Sequence, residues 1–212
     1  MFVRTRMTAN PFTVTPKTTV PEAIALLREH AIRNLPVIEN GRLVGLVGNH
    51  EIAAASPSPA TSLAAGEITY LMNKLQVGKI MKKDPITISP DALLEEAAIL
   101  MRDNKVEMLP VVENDQVIGV ITESAIFDAF IEILGFRDHG TRLTLDAVDA
   151  PGVMAQLAET TARHGANIQH MAVYRGQDRA SVIFGVNTPN TDALEADLAK
   201  DGFTVQAKLV NP

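Results

Sequence analysis

The chain contains no cysteine and no tryptophan. The first absence removes disulfides, thiolate metal sites and every mechanism that needs a cysteine nucleophile. Only 9 of the 212 residues are aromatic, 7 Phe and 2 Tyr, too few to build the stacking platforms that hold single-stranded nucleic acid. Basic side chains are outnumbered 19 to 25, and they are spread out: residues 1–135 carry 12 basic and 16 acidic residues, residues 136–212 carry 7 and 9. Lys82-Lys83 is the one adjacent basic pair, so no clustered face offers itself to a phosphate backbone, and direct nucleic-acid binding is not expected. No apolar run approaches the ~18 residues that cross a bilayer, and Met1 to Phe12 lacks the apolar centre of a secretory leader. The expectation is a cytoplasmic protein without a membrane partner. Catalytic signatures are missing too. The histidines His30, His50, His139, His164 and His170 have no metal-ligand spacing, and no nucleophile elbow, dinucleotide fingerprint or phosphate-binding P-loop occurs. The chain is therefore expected to be no enzyme and to hold no metal.

What the sequence does contain is a core-forming hydrophobic fraction of 46% and an internal repeat. Sliding the chain by 74 residues aligns Met7–Ile52 with Met81–Ile126 without a gap. Identities include Met7/Met81, Pro11/Pro85, Thr13/Thr87, Pro16/Pro90, Glu22/Glu96 and Leu26/Leu100. Leu35-Pro36-Val37 matches Leu109-Pro110-Val111, and Gly45 matches Gly119. Two copies predict a pseudo-symmetric pair, because a solenoid needs at least three. In each copy an apolar stripe at helical spacing follows a helix start; in the first copy this is Thr19-Val20-Pro21-Glu22, with the features of a capping box. Two short apolar runs around Asn40-Gly41 then predict a hairpin, and the second copy repeats the pattern and adds a helix from Glu123 to about Leu134. Between the copies, Ser56-Pro57-Ser58-Pro59 breaks the chain, and Ile68, Leu71, Met72 and Leu75 recur at helical spacing, predicting a linker helix that packs.

After Gly135 the pattern changes. Leu143, Leu145 and Ala147 alternate as in a strand; Val153, Met154, Leu157, Ala158 and Thr161 follow a helical stripe that Gly165 stops. Two further apolar runs flank Arg175-Gly176-Gln177-Asp178, a helix is expected near Asp192–Lys200, and Phe203–Leu209 supplies the last strand. The order is βαββαβ, a split βαβ arrangement.

The Met, the Pro-hydrophobic-Thr strand, the amphipathic helix, the Leu-Pro-Val string and the strand glycine resemble the cystathionine-beta-synthase (CBS) domain, present as a tandem pair or Bateman module. Asp149-Ala150-Pro151-Gly152-Val153, with Asn167-Ile168 downstream, resembles the ACT domain, a regulatory module. The combination resembles the AcuB-like acetoin-utilisation proteins. The fold class expected is α+β: CBS repeats at 1–55 and 77–136, a linker with a packed helix at 56–76, and a ferredoxin-like ACT domain at 140–210. CBS pairs also occur inserted in IMP dehydrogenase, but that enzyme's barrel and cysteine have no counterpart here.

The resemblance implies a regulatory role with AMP or ATP in the cleft between copies, near Thr13, Leu35, Pro36, Thr87, Leu109 and Pro110. The family signature, Gly-hydrophobic-hydrophobic-Thr/Ser-x-x-Asp, implies an acid on the ribose hydroxyls and a hydroxyl near the phosphate. Copy one reads Gly45-Leu46-Val47-Gly48-Asn49-His50-Glu51, losing the hydroxyl and lengthening the acid; copy two keeps Thr122 but has Ala125 in the acid's place. The expectation is at most one nucleotide per chain, held weakly on the Glu51 side with His50 near a phosphate. The same residues also suit a helix's first turn. Asp149, Ala150, Pro151 and Gly152 lead into a helix whose free N–H groups can hold a carboxylate, while Asp149 or Asn167 meets an amine, with Ile168 beside it; that combination selects an amino acid. Equally, the string can serve only as a strand-to-helix turn. Two functions stay open: a ligand-sensing regulator read by a partner protein, or a structural dimerisation module with vestigial pockets. Unpaired helical faces and open sheet edges predict a homodimer in both cases.

Overall fold

The structure, a computed structural model, describes residues 1–56 and 65–211. It divides into two compact units, Met1–Ile126 and Phe127–Pro212. In the first, a 3-10 turn (Val3–Thr5) and β1 (Thr8–Ala9) lead to α1 (Val20–Glu29), β2 (Asn34–Glu39), β3 (Arg42–Gly48), α2 (Asn49–Ala55) and α3 (Ala65–Lys74). Then come α4 (Val77–Ile80), β4 (Lys82–Lys83), α5 (Leu94–Asn104), β5 (Met108–Glu113), β6 (Gln116–Thr122) and the start of α6 (Glu123–Ile133).

The start of α1 is fixed by reciprocal hydrogen bonds. The Thr19 N–H donates to Glu22 Oε2 at 2.8 Å and the Glu22 N–H to Thr19 Oγ1 at 3.5 Å, with Pro21 in the first turn. Val20, Ala23 and Leu27 then fall on one side and are buried. The hairpin β2–β3 turns at Asn40 (φ 49°) and Gly41 (φ 78°), where the chain needs left-handed residues. Each special backbone position recurs 74 residues on: Asn10 with Asp84, Ala31 with Lys105, Asn40 with Asn114, Gly41 with Asp115, all at positive φ. The repeat therefore preserves a backbone even where its side chains have changed.

The two copies exchange their leading strands. β1, which opens copy one, pairs with β6 of copy two (Ala9 opposite Gly119), and β4, which opens copy two, pairs with β3 of copy one (Lys82 opposite Leu46). The sheets are thus β1-β6-β5 and β2-β3-β4. The crossing explains two of the repeated identities. A Cβ on Gly45 would stand 2.6 Å from Met81 Sδ, and one on Gly119 would stand 2.6 Å from Met7 Sδ, so each methionine lies over the other copy's bare glycine. Val14, Val20, Ala23, Leu27, Leu35, Val37, Val47, Ile52 and Val77 form the copy-one core. Met72 and Leu75 pack on it, as the linker-helix stripe predicts, but Leu71 is 52% exposed, so the stripe is narrower than expected. Of the expected break at Ser56-Pro57-Ser58-Pro59, residues 57–59 lie outside the described residues, as does the side chain of Ile68.

The second unit holds β7 (Gly140–Val148), α7 (Val153–Arg163), β8 (Ile168–Arg175), β9 (Arg179–Val186), α8 (Asp192–Lys200) and β10 (Thr204–Asn211). Its antiparallel sheet runs β10-β7-β9-β8, which sets β9 between β7 and β8, a split βαβ arrangement. Period-two alternation puts Leu143, Leu145, Ala147, Val182, Phe184 and Val186 on one face, where Leu157, Leu194 and Leu198 of the two helices cover them. Gly165 (φ 66°) follows the end of α7 and Gly202 (φ 88°) the end of α8.

Candidate functional site

A cavity of about 760 Å³ opens in the first unit, with both copies contributing to its wall. Copy one supplies Arg33 and Asn34 at the start of β2, Leu46 of β3, and the first turn of α2, Asn49 to Glu51. Copy two supplies Lys82, Pro85 and Ile86, brought in by the exchanged strand, and Lys105 to Met108 between α5 and β5. Leu46, Pro85, Ile86, Val106 and Met108 form an apolar wall. Arg33, Lys82 and Lys105 stand against two carboxylates, Glu51 and Glu107, an excess of one positive charge with His50 neutral. Arg33 Nη1 lies 3.5 Å from Glu107 Oε2. Lys82 and Lys105 have no ion-pair partner among the described residues. An apolar wall beside unpaired cations suits a ligand with a flat apolar part and an anionic end.

Glu51 enters this cavity from a fixed position. Its Oε2 accepts from the Gly48 N–H at 3.0 Å, capping α2, and its side chain is 18% exposed. The other oxygen, Oε1, is 3.5 Å from Nδ1 of the exposed His50. One carboxylate oxygen thus serves the helix start, and the other lies beside His50. Gly48 itself is buried, and a Cβ there would stand 2.2 Å from Asn34 Oδ1. Asn34 is its cross-strand partner, so the Asn34 amide takes the space that a hydroxyl residue at position 48 would need.

The equivalent positions of the other copy differ at each of these points. Ala125 replaces Glu51, and Thr122 replaces Gly48 with its Oγ1 accepting from the Ala125 N–H at 3.3 Å. Phe12 replaces Ile86 and stacks on His30, ring centroids 3.6 Å apart and 10° from parallel.

Of the residues expected near a nucleotide, Glu51 and His50 line the cavity. Leu35, Pro36, Leu109 and Pro110 are buried within the hairpins, and the carbonyls of Pro36 and Pro110 accept from the N–H groups of Val14 and Ile88. Thr13 and Thr87 are exposed; Thr13 lines a separate open groove with Thr15, Glu22 and Glu29. Arg33, Lys82, Lys105 and Glu107 were not foreseen. The only sequence signal for any of them was the Lys82-Lys83 pair.

In the second unit, Asp149, Ala150, Pro151 and Gly152 are exposed, and Gly152 (φ 91°) caps α7 with no side-chain hydrogen bond. Asp149 pairs with Arg175 at 3.4 Å. Asn167 is held through its backbone, which exchanges hydrogen bonds with Asn187, and Ile168 packs against the core. Asp149 and Asn167 are thus each engaged by a different neighbour. Among the described residues no group of acids and histidines is arranged to hold a metal, and no helix is long and apolar enough to cross a membrane.

The CBS domain model matches twice, at residues 3–58 and 77–132. An inosine-5'-monophosphate dehydrogenase of Korarchaeum cryptofilum is 36% identical over 140 residues, covering 66% of this chain but 26% of the dehydrogenase, so the chain spans about a quarter of that enzyme's length. The crystal structure of an acetoin utilization protein (AcuB) from Vibrio cholerae superposes with a TM-score of 0.54 at 29% identity, over 65% of this chain and 96% of that one. CBSX2 of Arabidopsis thaliana, solved in complex with AMP, gives 0.53 at 31%, over 62% and 97%. The exchanged strands, the 74-residue repeat and these matches agree: the chain belongs to the CBS-domain family and carries a tandem pair of its domains.

Proposed function

We propose that the protein is a ligand-sensing regulator whose first ligand is an adenine nucleotide in the Glu51 cavity. The observation that carries this reading is the cavity's division into an apolar wall, a carboxylate oxygen left over from helix capping, and unpaired cations. A base suits the wall, the ribose hydroxyls suit Glu51 Oε1 as donors to an acceptor, and a phosphate suits Lys82 and Lys105. That CBSX2 was solved with AMP supports the choice of nucleotide. Calorimetry and thermal unfolding with AMP and ATP test it. One nucleotide per chain is expected, and saturation at a hundred times Kd should add about 2.7 kcal/mol to apparent stability. Neither heat nor a shift with either nucleotide would remove the reading.

In the same proposal the βαββαβ unit is an ACT-type module that takes an amino acid at the Asp149 loop. The α7 N-terminus, uncapped by any side chain, supports it; the Asp149–Arg175 pair would have to open for Asp149 to meet an amine. Occupancy of either site would shift a two-state assembly, a homodimer, that a partner protein reads. Light scattering giving 22.8 kDa at micromolar concentration would count against the dimer. The second reading, a dimerisation module without ligands, is favoured by Phe127, Phe130 and Ile133, which leave an apolar stripe exposed on α6; it predicts dimerisation indifferent to every nucleotide and amino acid.

A further inference from the structure

Arg33 and Glu107 occupy the same position in the two copies, 74 residues apart. Their backbones are pinned in the same way: the Arg33 carbonyl accepts from the Asn49 N–H at 3.3 Å and the Glu107 carbonyl from the Glu123 N–H at 3.1 Å, each at the start of the helix that follows its hairpin. Two equivalent residues that touch must do so on the pseudo-twofold axis, where an unchanged repeat would set like charges face to face. This chain sets opposite ones there, 3.5 Å apart, and both line the cavity beside Lys82 and Lys105.

We propose that Glu107 is an internal competitor for the anionic end of the ligand: it occupies Arg33 in the empty cavity, yields it to a single phosphate, and discriminates against a polyphosphate. The inference rests on the reading above only in taking this cavity as the ligand site. The pair is open to solvent, with side chains 74% and 59% exposed, so it is a weak contact that salt screens. A phosphate offers Arg33 two oxygens in the geometry its guanidinium fits. Glu107, once released, stays at the cavity wall. There it repels each further phosphate charge, while the first phosphate, at about −1.5 to −2 near neutral pH, already exceeds the cavity's excess of one positive charge.

The test is calorimetric titration of the full chain and its E107Q, R33Q and R33Q/E107Q variants with inorganic phosphate, tripolyphosphate, AMP and ATP. Circular dichroism of each variant confirms its fold, which exposed side chains leave intact. E107Q should tighten AMP and phosphate about two- to fivefold, the release of one exposed ion pair, and tighten ATP and tripolyphosphate by a larger factor, of order tenfold, as repulsion of the added charges is lost. R33Q should weaken every probe about tenfold, and E107Q should then gain less than it does alone. A merely structural Glu107 would leave the ratio of AMP to ATP affinity unmoved. An unchanged ratio in E107Q, or no binding of any probe to any variant, overturns the inference. Phosphate and tripolyphosphate responding as described, with no preference for AMP over phosphate, removes the nucleotide reading and leaves Glu107's role standing.

Discussion

Glu51 holds a helix with one oxygen and, in the proposed site, would face a ligand with the other, so its substitutions should separate the two effects. Glu51→Ala takes the acceptor from the buried Gly48 N–H, 3.0 Å away, and an orphaned buried donor costs about 1–3 kcal/mol. For a unit of this size that is a fall in Tm of roughly 3–10 °C. The same change removes the proposed ribose acceptor, and a hydrogen bond to a charged group is worth about 1.5–3 kcal/mol, or roughly tenfold to more than a hundredfold in Kd. Glu51→Gln keeps the reach and a carbonyl oxygen for Gly48 but gives up the charge. It should retain most of the stability, within about 1 kcal/mol, while still losing about tenfold in AMP affinity. Glu51→Asp does the converse: too short for the Gly48 N–H, it should lose about 1 kcal/mol of stability while keeping a carboxylate in the cavity. The assays are urea unfolding followed by far-UV circular dichroism, and calorimetric titration with AMP. If Gln binds AMP as tightly as Glu does, the carboxylate does not touch the ligand. If Gln destabilises as much as Ala, the division of the two oxygens is wrong.

Three further expectations follow from the same geometry. Gly45→Ala and Gly119→Ala should each cost about 1–3 kcal/mol by overpacking, because the new methyl meets a methionine sulfur at 2.6 Å and a backbone oxygen at 3.0 Å in both places; a loss below 0.5 kcal/mol in urea unfolding at either site would contradict the exchanged-strand packing. Ala125→Asp should raise the calorimetric stoichiometry for AMP from one towards two per chain, more fully when combined with Phe12→Ala, which unstacks the ring from His30; one site in both variants would refute the idea that Ala125 and Phe12 are what the second copy lacks for a nucleotide. Hydrogen bonds from Lys200 and then His164 hold the Asp197 carboxyl below its ordinary range. A folded pKa below the unfolded one stabilises above the unfolded value, about 3.9, and that contribution disappears as pH falls through the folded value; Asp197→Asn should flatten the stability profile on the acid side of about pH 5, and an unaltered profile would refute the coupling.

Local features of this chain were readable from its sequence because local rules produce them. Thr19 and Glu22 cap a helix within four residues of each other, Asn40-Gly41 closes a hairpin within two, and Leu143, Leu145 and Ala147 bury one face by alternation. The strand exchange was not readable. Gapless identity between copies shows that they share a fold, but pairing β4 with β3 instead of β6 is a choice between two equivalent partners that no local pattern encodes. The cavity's cations were lost with it: Lys82 reaches the copy-one hairpin only through the exchange, and Lys105 sits at a left-handed helix end (φ 53°) whose counterpart is Ala31. Nor did the Gly48 substitution announce its compensation by Asn34, which is fourteen positions away in the chain and opposite it in the sheet.

The pattern of change between copies separates what holds the fold from what shapes the clefts. Positions 7/81, 35/109, 36/110, 37/111 and 45/119 are identical, and they supply buried core, strand partners or the methionine-over-glycine contact. Positions lining the cavity differ, Pro85/Pro11 excepted: Arg33/Glu107, Asn34/Met108, Glu51/Ala125, Ile86/Phe12 and Lys105/Ala31 are examples, and the buried Gly48/Thr122 opposite Asn34/Met108 differs with them. The differences are coupled, because a side chain at 48 would strike Asn34 and so cannot be regained while Asn34 stays. An Asn34 with Gly48 hairpin and a Met108 with Thr122 hairpin are two self-consistent solutions to the same cross-strand space. One of them lines the cavity with a polar amide beside the Glu51 carboxylate; the other accompanies Ala125 and, elsewhere in the pair, the Phe12–His30 stack. A pair of domains built on one backbone thus arrives at two chemically unlike sets of equivalent positions by changing few residues that the core depends on.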